Sequence, residues 1–259
     1  MQLPLLVVVA LQAIVLLAFV AQAATGFGAT VLMVALSALV VPLQIVLPAF
    51  VPVNTLLSGY TSLRRAKEIR FRILFVEMVP AMAVGLALGM LTFRKQAHEG
   101  IKLAFAILVG VLALVELWRL RRASMAETVQ PPLRPLLRNL LLFLGGYIHG
   151  VFGSGGPMIV YVLRRRIPDK GAMRATLALV WFTLNVPLIV NYTSLGLIGW
   201  RSITLSLLLA VPFWPAVVLG DWVHRRLDGR RFQIMICLLL LVAGIALATR
   251  TALSMLRTS

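Results

Sequence analysis

Apolar runs at 3–24, 30–41, 45–63, 73–93, 101–117, 136–150, 157–163, 172–192, 203–221 and 232–249 leave little of the 259-residue chain outside them. A helix needs about 20 mainly apolar residues to cross roughly 30 Å of hydrocarbon. Six of the runs read as ordinary full spans, and the other four form two pairs, each split by a glycine cluster. Only 13% of residues are charged and 61% are hydrophobic, with a mean hydropathy of +0.98. Water-soluble domains keep roughly a quarter of their residues charged, so a soluble fold is excluded. The expected class is an all-α integral membrane protein.

The net charge of +17 does not point to nucleic acid, because the basic residues fall in short clusters between apolar runs, as in cytoplasmic loops. The one cysteine, Cys237, lies in the last apolar run, so no internal disulfide forms. Ala21-Gln22-Ala23 has the look of a signal-cleavage site, yet no Lys or Arg precedes it and the run 3–24 is longer than a typical signal core. It is read as mature structure.

The two halves of the chain are related. Tyr60-Thr61-Ser62-Leu63 recurs as Tyr192-Thr193-Ser194-Leu195, and Val79-Pro80 as Val211-Pro212, both at an offset of 132. Leu108-Val109 and Gly110 find a looser echo in Leu241-Val242 and Gly244. The polar stretch 119–138, with Pro131-Pro132 and Pro135, divides the halves. The expected organisation is one membrane domain over 1–259: a first repeat at 1–118, a cytoplasmic linker at 119–138, and a second repeat at 139–259.

Lys and Arg in short loops orient membrane proteins. If each split segment crossed once, the 25 basic residues would divide almost evenly between the two faces. If each split segment instead enters and leaves on one face as a re-entrant hairpin, 19 of the 25 share a face, in the loops 64–72, 119–138, 164–174 and 225–231. The re-entrant model is preferred. Each repeat is then one re-entrant or broken helix plus three transmembrane helices, and the odd number of crossings inverts the second repeat. Inverted repeats with interrupted helices near the midplane are a transporter architecture. The first arm, 3–24, is long enough to span fully, so its re-entrant or spanning character stays open.

The breaks fall at Thr25-Gly26-Phe27-Gly28 and Gly153-Ser154-Gly155-Gly156-Pro157. Non-helical backbone at membrane depth must be buried in protein or line a wet cavity. A half-helix starting after each break presents free N–H groups and about half a positive charge, so two facing starts form an anion site with no buried lysine. Against this stands close helix packing by small residues, the expected role of Gly85 and Gly89. No Gly-Lys-Ser/Thr follows either break, which excludes a phosphate-binding P-loop, and no cofactor is expected. Glu77, Glu116 and Asp221 fall near the basic ends of their spans, where arginines can pair them. His149 is read either as proton-linked or as a packing histidine. Asn54 and Asn185, at matching places in the two repeats, either donate to an anion or pair across helices. Trp181, Trp200, Trp214 and Trp222 are read as packing or interface residues.

These motifs resemble the sulfite exporter TauE/SafE family of membrane permeases. The resemblance rests on Gly26-Phe27-Gly28, Pro42, Ser62 and the basic stretch 64–70 in the first half. In the second it rests on Gly153-Ser154-Gly155-Gly156-Pro157, Lys170-Gly171-Ala172 and Thr176. Ala29-Thr30 departs from the further glycine usual in the family, which bears on the substrate more than on the fold. The resemblance implies a non-enzymatic secondary permease of a bacterial inner membrane, exporting a small anion such as sulfite, sulfoacetate, thiosulfate or a related carboxylate. The residues expected at the substrate are Thr25, Gly26, Phe27, Gly28, Asn54, Gly153, Ser154, Gly155, Gly156 and Asn185. A membrane scaffold subunit and a lipid-modifying membrane enzyme are the rival readings. The three histidines His98, His149 and His224 fall in separate places, which argues against the enzyme.

Overall fold

A computed structural model describes residues 4–93, 99–122, 132–226 and 229–258. Arg94, Lys95, His98, the central part of the linker with Pro131, and positions 227–228 of the last basic loop lie outside the described residues. Every regular element described is helical: α1 Leu5–Thr25, α2 Ala29–Ser37, α3 Leu43–Arg64, α4 Ile73–Phe93, α5 Glu99–Arg122, α6 Pro135–Phe152, α7 Gly156–Arg164, α8 Lys170–Ser194, α9 Trp200–Ala210, α10 Phe213–Arg226 and α11 Gly229–Thr258. Six of the described helices are long and apolar enough to cross a membrane, and the bent pair α9–α10 would make a seventh span. Large apolar side chains such as Leu56, Val190, Val218 and Val242 project outward, as expected of a surface facing lipid rather than water.

Local sequence explains where the helices stop. Gly26 and Gly153 take φ of 88° and 64° and donate their N–H groups to Gln22 O and His149 O, at 2.7 and 2.6 Å. This left-handed cap ends a helix at glycine because no Cβ opposes it. The repeated Val-Pro pair marks a second irregularity. Proline lacks an N–H and its ring crowds the carbonyl four residues earlier. The turns just before Val79-Pro80, Ile73–Met78, are π-helical, and α9 and α10 meet at 42° beside Val211-Pro212. The run 203–221, expected as an ordinary span, is therefore bent.

Helices pack in pairs: α4 on α6, α1 on α10, α3 on α8 and α5 on α11. Each pairing is the one that a correspondence of α1–α5 with α6–α11 would produce. Small residues set the closest crossings. A Cβ on Gly85 or Gly89 would overlap the Phe143 or Tyr147 carbonyl oxygen, and one on Gly146 or Gly150 the carbonyl of Met82 or Leu86. Where α5 meets α11, a Cβ on Gly244 would lie 3.1 Å from Gly110 N. The packing role expected of Gly85 and Gly89 is therefore seen directly.

One end of the molecule gathers the basic loops. Glu77, at the start of α4, accepts from Arg138 at the start of α6 (3.1 Å) and from Arg166 just past α7 (2.5 Å). Both ends of the α6–α7 hairpin thus lie at the same end of the bundle. Asp221 of α10 accepts from Arg64 (3.2 Å) and from the buried Arg174 of α8 (2.6 Å). Arg70 N donates to Thr176 Oγ1, bringing the loop after α3 against α8. At the opposite end, Arg250 of α11 bonds the Leu39 carbonyl beyond α2. The α1–α2 hairpin therefore turns back from near the basic end, and α1, at 21 residues or about 31 Å, is its long arm.

Candidate functional site

The first glycine turn reaches past the second toward the basic end, where a Cβ on Gly26 would come 3.2 Å from Arg174 Cα. A Cβ on Gly26 would lie 3.4 Å from Leu177 of α8, and one on Gly153 3.6 Å from Leu47 of α3. Each turn thus rests on a leucine of the other half. The turns face one another where a Cβ on Gly153 would come 3.2 Å from Thr30, and one on Gly156 3.8 Å from Phe27.

Trp181, on α8, connects them. Its Nε1 donates to Gly26 O at 2.7 Å, and its ring stacks on His149 with centroids 5.9 Å apart. His149 is buried and contacts Asn185 Oδ1 through Nε2 at 3.0 Å, while its Nδ1 accepts from Gly155 N at 3.4 Å. With Nδ1 an acceptor, Nε2 carries the proton and donates to Asn185. Reading Trp181 from the sequence as one more packing or interface residue misses this. Trp200, Trp214 and Trp222 are at least half exposed, but Trp181 is 5% exposed. The available signal was spacing: Trp181 lies one turn before Asn185, on the same helix face.

The asparagines pair across helices and keep one polar atom each. Asn54 Nδ2 donates to Thr30 Oγ1 at 3.2 Å. Asn54 Oδ1, Asn185 Nδ2 and Ser154 Oγ are buried and make no hydrogen bond among the described residues. Buried polar atoms are rarely left so, because each costs about 1–3 kcal/mol. The glycines divide. Gly26, Gly28 and Gly153 hold positive φ, whereas a Cβ on Gly155 would overlap the Gly145 carbonyl oxygen. Gly155 is a close-packing glycine, and a bulky replacement there would test folding rather than binding.

A cavity of about 350 Å³ adjoins the first turn. Thr25, Phe27 and Gly28 line it, together with Pro157 and Met158 at the start of α7. Its other wall comes from α5 between Val109 and Glu116 and from α11 between Ile236 and Leu240. Gly26, Asn54, the 153–156 turn, His149 and Asn185 are not on this wall; they form the packed layer beside it. Sequence reasoning missed the α5 and α11 wall, since apolar residues facing a cavity read like those facing lipid. Helices α2 and α7 both start without a side-chain cap, so their first-turn amides, of which Pro157 has none, find no side-chain acceptor at the cap position.

The sulfite exporter TauE/SafE family model matches residues 11–247. The chain belongs to this family. Membership makes it a multi-pass membrane protein of a transporter family, and both glycine turns and the Trp181 link lie inside the matched region. Neither the curated proteins nor the solved structures gave a match.

Proposed function

We propose that this TauE/SafE member is a secondary permease that exports small anions, with sulfite, sulfoacetate and thiosulfate as the first candidates. One observation carries the reading: the uncapped first turns of α2 and α7 border a single cavity. Each brings about half a positive charge, enough to attract an anion without a buried lysine. The unpaired atoms of Asn54, Ser154 and Asn185 behind that layer supply polar groups that a rearranged pocket can present. No observation favours the scaffold or enzyme readings.

In this reading residues 1–118 and 139–259 are inverted repeats joined by 119–138, and the basic end faces the cytoplasm of a bacterial inner membrane. Access alternates through a body drawn from both repeats, the α5–α11 pair. Helices α5 and α11 pack mainly on each other and touch the rest of the bundle chiefly through α2. In their far halves Ala106, Ala243 and Leu247 join the buried cluster with Val31, Val34 and Ala35, and Arg250 holds the Leu39 carbonyl. In their basic-end halves the cavity separates them from α1 and α7. The arrangement is a wedge open toward the cytoplasm. An inside-negative potential favours outward movement of an anion by about 2.3 kcal/mol per charge per 100 mV, so export needs no coupling ion.

The test is flux in proteoliposomes holding radiolabelled sulfite, sulfoacetate or thiosulfate under an imposed potential. Potential-dependent efflux of at least one is expected, and none with any small anion overturns the proposal. The wedge has its own test in Cys237, the one cysteine of the chain, which lies on the cavity wall. Maleimide added from the basic face should label it, and Arg250→Gln, by loosening the far end, should slow that labelling severalfold. Unchanged labelling would mean that α5 and α11 do not swing as a unit.

A further inference from the structure

At the basic end, one buried arginine keeps two donor groups that no described residue meets. Arg174, near the start of α8, is 4% exposed. Its Nη2 donates to Asp221 Oδ1 at 2.6 Å, but its Nε and Nη1 are buried and make no hydrogen bond among the described residues. A guanidinium only donates and keeps its charge, so whatever completes it must be an acceptor, and a cation is excluded. We infer that the small pocket lined by Arg174 binds a single halide ion, chloride under ordinary conditions, at a site separate from the large cavity. The inference stands apart from the permease reading.

Tyr60, Thr61, Arg64 and Arg65, at the end of α3, share the wall of this pocket with Asp221 of α10. Its space is about 10 Å³, enough for about one water-sized particle, so polyatomic oxyanions do not fit. Charge decides between a water and a halide. Three guanidinium groups line the pocket against one carboxylate, and both oxygens of that carboxylate are taken, by Arg174 and by Arg64 at 3.2 Å. Glu68 engages Arg65 at 3.3 Å from outside the wall. Even with Glu68 counted, three cations face two anions. A water would accept the free N–H groups but leave that charge uncompensated where helices exclude most solvent, whereas a halide supplies both the acceptor and the charge. Tyr60 and Thr61 carry hydroxyls that can donate as well. The place has a structural meaning too. Helix α1 packs on α10 and α3 on α8, and the Arg64–Asp221–Arg174 bridge joins the two pairs. An ion held there ties the pairs together directly beside the first glycine turn, where a Cβ on Gly26 would lie 3.2 Å from Arg174 Cα.

The experiment follows the unfolding midpoint of the full-length protein in nanodiscs of zwitterionic lipid, as chloride or bromide replaces gluconate at constant ionic strength. Both halides should raise the midpoint saturably, by about 3–6 °C at tenfold excess over Kd. Arg174→Lys keeps a charge beside Asp221 but removes the planar fork, and it should abolish the rise. Arg65→Gln removes one charge from the wall without touching the Arg174–Asp221 pair, and it should weaken the halide severalfold. This second variant keeps the test decisive if Arg174→Lys folds poorly. No rise with either halide overturns the inference and leaves a water in the pocket. A rise that persists unchanged in every variant that folds also overturns it, because the halide then binds elsewhere.

Discussion

The first glycine turn opens onto the cavity and the second is packed shut, although both are short glycine clusters ending an apolar helix. At Gly28 φ is 101° and a Cβ would meet nothing within 4 Å; that glycine is there for its backbone. At Gly155 φ is −83°, which any residue tolerates, but a Cβ would overlap the Gly145 carbonyl; that glycine is there for its missing side chain. Two glycines in clusters that read alike are under different constraints, one conformational and one steric. The contrast also separates the two uses of glycine in a membrane interior, sharp turns and close helix approach.

The largest effect that would sharpen the contrast is Gly155→Ala. Overpacking commonly costs 1–3 kcal/mol, and here the obstruction is backbone that cannot step aside, so about 3 kcal/mol or more is expected. The readout is loss of protein from the membrane fraction and a lower unfolding midpoint in detergent. A stable, fully expressed Gly155→Ala protein would break the assignment. Next comes Trp181→Phe, which keeps the ring near His149 but leaves the Gly26 carbonyl without its donor. An unpaired buried group costs about 1–3 kcal/mol, so the midpoint should fall less than for Gly155→Ala while flux falls more than the stability loss explains. If flux and midpoint change only in proportion, Trp181 is a packing residue after all. Gly28→Ala is third, with about 1–2 kcal/mol of left-handed backbone strain and no collision. Expression should persist, with transport impaired.

Much of this was legible in the chain. Helical class and breaks follow from apolar run length and from glycine. However, the runs 3–24 and 136–150, expected as arms of broken pairs, form helices long enough to cross on their own, and the runs 101–117 and 203–221 do not give such single helices. The pairing of Glu77 and Asp221 with arginines follows from their position at the basic ends of spans, and both pairs form. The match of Val79-Pro80 with Val211-Pro212 located both helix irregularities, though not their form, because proline dictates a missing hydrogen bond and leaves the neighbours to choose between π turns and a bend. The illegible parts are those that depend on which face a residue shows. Trp181 and Trp214 are alike as letters, yet one is 5% and the other 60% exposed. The α5 and α11 wall was hidden for the same reason, and so was the steric purpose of Gly155, which needs the position of Gly145 ten residues earlier.

The smallest structural perturbation is the most informative about transport. A Cβ on Gly156 would find Phe27 at 3.8 Å and Trp181 and Val31 at 4.0 Å, ordinary contact distances with nothing to displace. Gly156→Ala also removes a flexible residue from the start of α7, which favours the folded state by a few tenths of a kcal/mol when the backbone angles are acceptable. The unfolding midpoint should therefore stay within about 0.5 kcal/mol of the parent. The added methyl nevertheless sits between the two turns, against the Phe27 and Trp181 rings. If the turns must shift past each other as α5 and α11 swing, filling that gap should slow anion flux severalfold in a protein of unchanged stability. Unchanged flux would mean that the two turns move as one rigid layer, leaving the helices on the far wall of the cavity to do the gating alone.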